Sequence, residues 1–194
     1  QRARRSGRKQ VCMFDAALDC ALERALRVQN GLHRALANHE FVLHLQPKCD
    51  VHTSAIVGAE ALLRWDSPEG IIAPNEFIGV AERHGLIKDI GWFVIEETCR
   101  MVRRLRERNI VLPLAVNLAP AQFADPGLIP RLCETVARHG VSPGSLCLEI
   151  TESMAMENAE HMAAVLQTLH ALGFRIAMDD FGTGHSSLSD RKSV

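Results

Sequence analysis

The chain has 194 residues, 47% of them apolar and 23% charged, with a formal net charge of −1 at pH 7. That composition supports a buried core and excludes a disordered segment, and the near-zero charge removes any general attraction to a nucleic-acid polymer or an anionic membrane. The six cysteines (Cys12, Cys20, Cys49, Cys99, Cys133, Cys147) are scattered without a CxxC pair. They predict buried free thiols in a reducing, cytoplasmic setting rather than a disulfide frame or a zinc site. No run of about 18 apolar residues is present, so no membrane contact is expected in this segment. The start at Gln1, without a secretory signal, reads as a fragment whose natural beginning lies upstream.

In chain order, residues 1–10 are basic, with Arg2, Arg4, Arg5, Arg8 and Lys9, and lead into the apolar run Val11–Phe14. The simplest reading of such a run is a solvated face. From residue 15 to 38, Leu18, Leu22, Leu26, Leu32 and Leu36 recur near helical spacing, which predicts an amphipathic connecting helix. Phe41–Gln46 alternates like a strand and is expected to end at Pro47. Ile56–Trp65 is a second strand-like run, interrupted by Glu60 and Arg64. Helices are expected over about residues 75–84 and 86–107, with Gly85 at the break between them. Val111–Asn117 reads as a strand. A helix near residues 126–138 follows, with Asp125 as N-cap, Pro126 at the first helical position and Gly140 just past its end. Leu146–Ile150 is a strand, residues 158–171 a helix closed by Gly173, and Phe174–Met178 another strand. Strands alternating with helices of this length predict an α/β fold with a parallel sheet.

The polar residues in these strands fall in a pattern. Glu60 sits inside an apolar run, Asn117 ends the next strand, Glu149 nearly ends the next, and Asp179 and Asp180 end the last. One acidic or amide side chain at the C-terminal end of each strand is the arrangement of an active site on the top face of a β/α barrel. Oxygen ligands with no His or Cys among them suit Mg²⁺ or Mn²⁺ rather than zinc. Any one of these residues alone reads as a helix cap or a salt-bridge partner. Glu60 is harder to explain that way, because a carboxylate in an apolar strand needs a paired charge or a metal. The nine histidines, His44 and His84 among them, show no metal-ligand spacing and read as structural or surface residues.

Five motifs then stand in register: Gln46-Pro47-Lys48, Glu60-Ala61-Leu62 continuing to Trp65, Asn117-Leu118-Ala119-Pro120, Glu149-Ile150-Thr151-Glu152 and Asp179-Asp180-Phe181-Gly182-Thr183-Gly184. In order and spacing they resemble the EAL family of cyclic di-GMP phosphodiesterases, over about residues 38–189. The resemblance implies a modified TIM-like (β/α) barrel and hydrolysis of cyclic di-GMP to linear pGpG by a two-metal mechanism. It implies that Glu60, Asn117, Glu149, Asp179 and Asp180 hold Mg²⁺ or Mn²⁺, with Glu60, Asp179 and Asp180 counted as catalytic. By the same resemblance Gln46 and Arg64 bind substrate, and Glu152 steadies the loop Phe181–Ser187, which couples homodimer contacts to metal binding. His185 stands where the family often has tyrosine. A shorter match, Arg4–Lys9 with Val11–Phe14, resembles the tail of a GGDEF domain. The expected domains are therefore residues 1–14 as that tail, 15–38 as a linker helix and 39–194 as the EAL domain.

A complete (β/α)₈ barrel takes roughly 250 residues. The resemblance implies a further strand with a general-base lysine, a later glutamate ligand and a glutamine that contacts substrate. None is found in this sequence, and Lys192 lies on a polar tail too close to the glycine-rich loop to replace the lysine. The expectation is thus an incomplete barrel, truncated at its C-terminus, whose tail 190–194 diverges through a frameshift, a premature stop or incomplete assembly. Such a chain is expected to have little turnover. The alternative function is a degenerate module that binds cyclic di-GMP or a protein without catalysis.

Overall fold

The computed structural model describes residues 16–151, 154 and 159–179. The basic N-terminal run, Glu152, Asp180, the loop Phe181–Ser187 and the tail lie outside the described residues. Helix α1 covers Ala16–Ala37. A hairpin follows, β1 (Phe41–Cys49) and β2 (Ile56–Ser67), with a short third strand β3 (Gly70–Ile72). Helices α2 (Pro74–Arg83) and α3 (Ile87–Glu107) precede strand β4 (Leu114–Asn117). After the single turn α4 (Pro120–Phe123) come α5 (Leu128–Arg138) and β5 (Leu146–Thr151). Helix α6 (Ala159–Ala171) and strand β6 (Arg175–Asp179) complete the described part.

The strands form one six-stranded sheet in the order β1-β2-β4-β5-β6, with β3 paired to β2. β2, β4, β5 and β6 are parallel, as the alternation of strands and helices predicts. β1 and β3 run antiparallel to β2, so the sheet opens on a hairpin rather than on a βαβ unit.

Several boundaries differ from the sequence expectation, each for a physical reason. β1 continues through Pro47 to Cys49, because a strand that pairs on one side only tolerates a residue without an N–H. β4 starts at Leu114 rather than Val111: Pro113 breaks the donor series just before it, and Val111 is largely exposed. Helix α5 starts at Leu128 with Gly127 at its N-cap, and Asp125 Oδ1 instead accepts the Gly127 N–H at 2.9 Å in the preceding turn. Gly85, Gly140 and Gly173 all take positive φ after their helices, as the glycine positions predict.

The leucine stripe of α1 is only partly its buried face. Leu26 is half exposed, while Val28, Leu32 and Ala35 are buried. These three lie on one helix face at spacings of four and three residues, which turns it toward β2 and α2. There Phe41, Trp65, Phe77 and Phe93 form an aromatic cluster, with Phe41 to Phe77 centroids 5.7 Å apart and Trp65 edge-on to Phe77 at 5.8 Å. The indole N–H of Trp65 donates to Glu40 Oε2 at 2.9 Å. Behind the sheet, α3 buries Ile87, Ile90, Val94, Ile95 and Val102, and α5 buries Leu128, Leu132 and Val136. Cys49, Cys99, Cys133 and Cys147 are free thiols as expected, but of these only Cys99 is buried, and Cys49 on the edge strand β1 is exposed. No described helix is long and apolar enough to cross a membrane.

Two features give tests. A Cβ on Gly31 would lie 2.7 Å from the Trp65 ring, which is fixed by its neighbours. Overpacking of that kind costs about 1–3 kcal/mol against a helix-propensity gain of up to about 1, so Gly31→Ala is expected to lower the melting temperature. Burial, with the nearby Glu96 carboxylate second, pushes the Cys99 thiol up to about 12. Alkylation at pH 8 is therefore expected to modify exposed Cys49 and to leave Cys99 untouched until denaturant is added, as peptide mass mapping would read.

Candidate metal and substrate site

The register of the sheet decides which residues meet. The antiparallel hairpin sets Gln46 directly opposite Glu60, Lys48 opposite Gly58 and Val42 opposite Arg64. In the parallel part, Glu60 is level with Ala115, and Asn117 with Glu149. Glu149 is in turn level with Ala177, and Thr151 with Asp179. Side chains alternate across a sheet, so Gln46, Lys48, Glu60, Arg64, Asn117 and Glu149 share one face. Asp179, two residues past Ala177, ends β6 at the same parity of the ladder. The opposite parity carries Ala59, Ala61, Leu63 and Trp65, then Leu114 and Val116, then Leu146, Leu148 and Ile150, all buried. Helices cover that apolar face, which leaves the polar face for chemistry.

On the polar face three of the expected ligands converge. Asn117 Nδ2 donates to Glu60 Oε1 at 2.9 Å. Lys48 Nζ lies 3.6 Å from Glu60 Oε2 and donates a short hydrogen bond to Glu149 Oε1. Glu149 is only 4% exposed, a degree of burial at which a carboxylate needs a positive or hydrogen-bonding partner. Burial pulls the Lys48 ammonium down, but the hydrogen bond and charge of Glu149, with Glu60 behind it, outweigh that and hold Lys48 above the usual lysine range. Burial and then the Glu149 carboxylate push the neighbouring Cys147 thiol up, so Cys147 is no thiolate nucleophile at neutral pH.

The substrate residues are spread along the same face. Gln46 is an exposed cross-strand neighbour of Glu60. Arg64 lies four residues further along β2, about 13 Å at strand rise. Its Nη1 donates to the Leu63 carbonyl at 2.7 Å, so it stands apart from the carboxylate cluster. The Asp179 side chain, Asp180 and Glu152 lie outside what the structure describes.

Sequence reasoning quoted Lys48 within a motif but assigned it no role. Its parity with Gln46 was the available signal. Gln122 was also missed. It is buried, and its Oε1 accepts the Ala119 N–H at 3.1 Å, which shapes the turn that leaves Asn117. The Leu118 N–H donates to the Glu149 carbonyl at 2.9 Å and ties that turn to β5.

Among the described residues no three His, Cys, Asp or Glu side chains group as a metal site. The described donors are two carboxylates, which already meet at the Lys48 ammonium, and the amide of Asn117, which is hydrogen-bonded to Glu60. Hard oxygen donors in a spot that attracts positive charge fit Mg²⁺ or Mn²⁺.

Comparison with known proteins gives the family. The sequence pattern of the EAL domain matches residues 29–194, and the chain belongs to the EAL domain family. It is 40% identical over 188 residues to the bifunctional diguanylate cyclase/cyclic di-GMP phosphodiesterase MucR of Pseudomonas aeruginosa, covering 96% of this chain and 27% of that protein. It is 37% identical over 188 residues to the cyclic di-GMP phosphodiesterase PdeR of Escherichia coli, covering 96% of this chain and 28% of that one. The chain thus spans about a quarter of the length of these relatives. Its fold is similar to the solved structure described as PaMucR phosphodiesterase in complex with c-di-GMP, with a TM-score of 0.80 and 41% identity over 83% of this chain and 66% of that one. EAL domains of this kind have a TIM-like barrel, to which the parallel sheet with flanking helices corresponds.

The Asn117 to Glu60 hydrogen bond gives a direct test. Asn117→Asp turns the donor into a second carboxylate facing Glu60. Loss of a hydrogen bond to a charged group costs about 1.5–3 kcal/mol, so the variant is expected to melt several degrees lower in chelator.

Proposed function

We propose that this domain hydrolyses cyclic di-GMP to linear pGpG through a two-metal site. The observation that carries the reading is the meeting of Glu60 and Glu149 at the Lys48 ammonium on one face of the sheet, with Asn117 hydrogen-bonded to Glu60. The names of the relatives, and the c-di-GMP in the similar solved structure, support the substrate.

Glu60, Asn117, Glu149, Asp179 and Asp180 would hold Mg²⁺ or Mn²⁺. Paired divalent ions at such a site activate a water and neutralise the phosphoryl oxygens during in-line displacement. The chain's own residues then have distinct tasks. The planar guanidinium of Arg64 suits a two-point contact with substrate phosphate once it leaves the Leu63 carbonyl. Gln46 offers an amide, donor and acceptor at once, at the exposed margin of the carboxylate cluster, where it suits a guanine edge. Glu149, held deep in the sheet, keeps water from one side of the cluster and fixes the height of Asn117 beside it. Glu152 is assigned to steadying the loop Phe181–Ser187, and homodimer formation to that loop. We assign residues 1–14 to a GGDEF tail, 15–38 to a linker and 39–194 to the EAL domain.

The test is calorimetry with cyclic di-GMP in Ca²⁺, followed by chromatographic detection of pGpG in Mn²⁺. Metal-dependent nucleotide binding is expected, and Glu60→Gln should weaken it by on the order of 100-fold. Nucleotide binding indifferent to both chelator and Glu60→Gln would overturn the proposal.

A further inference from the structure

We infer that Lys48 competes with divalent metal for the same carboxylate oxygens and thereby sets the metal affinity of the site. The inference rests on the metal reading above and goes beyond it, since Lys48 is neither a ligand nor a substrate residue there. Lys48 Nζ donates to Glu149 Oε1 and lies 3.6 Å from Glu60 Oε2, one oxygen from each of two proposed ligands. Glu60 and Glu149 would hold a divalent ion through these same carboxylate oxygens, and two cations within a few ångströms repel strongly at low dielectric. One of them must leave.

The exposure of the partners decides which can move. The Lys48 side chain is 42% exposed, whereas that of Glu149 is 5% exposed and that of Glu60 20%. Glu149 and Glu60 are held by the sheet, and Asn117 clamps Glu60 from the far side. Lys48 enters from the open side on a flexible four-carbon stem. The ammonium can therefore swing outward without disturbing the ladder, while the carboxylates stay as a preformed pair. Lys48 thus keeps two nearby carboxylates from repelling each other and yields its place to a stronger cation.

The test uses the full protein and Mn²⁺ alone. Calorimetry is expected to show Lys48→Met binding Mn²⁺ about 10-fold more tightly than the parent, the value of one displaced charged hydrogen bond. Lys48→Arg keeps the charge and is expected to bind no more tightly than the parent. A second measurement needs no variant: reductive methylation of Lys48, read by peptide mass spectrometry, should be slow in chelator and faster in Mn²⁺. Equal or weaker Mn²⁺ binding by Lys48→Met overturns the inference and leaves the metal reading standing. So does Lys48 labelling that stays constant while Mn²⁺ binds. Failure of both proteins to bind Mn²⁺ overturns the metal reading and the inference together.

Discussion

The carboxylate of Glu149 is the group around which the site is organised. It sits on a central parallel strand, almost fully out of water, level with Asn117 on one side and Ala177 on the other. An ionised carboxylate so placed is costly unless charge or hydrogen bonds compensate it. Lys48 reaches it from the far side of β2, passing Glu60 on the way. One buried charge thus draws together three strands, and the cation-attracting character of the face follows from it.

The ladder makes that meeting possible. β2 pairs with β1 in antiparallel register and with β4 in parallel register, and both settings give Glu60 the same parity as Gln46, Lys48 and Asn117. A slip of one residue in either pairing would turn the polar residues into the helix-facing core and expose Leu63, Trp65 or Val116. The apolar parity is buried so completely that such a slip is strongly opposed. Packing of the aromatic cluster and of α3 and α5 behind the sheet therefore secures the chemistry in front of it, although none of those residues touches the site.

Much of this was legible in the order of residues. Alternation marked β1, short strand-like runs marked β2, β4, β5 and β6, and the glycines at 85, 140 and 173 marked helix ends, where they take positive φ. The places where reading failed share a cause. Pro47 continues a strand because β1 pairs on one side only, a fact of sheet order rather than of the local sequence. Leu26 points to water while Val28 is buried, because the face α1 turns inward is chosen by Trp65 and Phe77 from elsewhere in the chain. β3 carries too few residues to show a period, and Asp125 can serve a turn as well as a helix cap. Lys48 escaped notice because a lysine on a strand reads as solvated surface unless its cross-strand neighbours are known.

The sequence by itself determined the family, through five short motifs at set intervals, and with it the donor chemistry: acidic and amide oxygens on successive strands, within β2 for Glu60 and at or near the strand ends for Asn117, Glu149 and Asp179. Those depend only on residue identity and spacing. The tertiary structure alone decided that Glu60, Asn117 and Glu149 meet within hydrogen-bonding reach, that Arg64 rests apart on the Leu63 carbonyl, and that Lys48 stands between the carboxylates. Those facts are set by register, burial and the reach of side chains between strands up to 101 positions apart, from Lys48 to Glu149. Local pattern carries no information about them, because the energy that selects them comes from charges and packing contributed by distant parts of the chain.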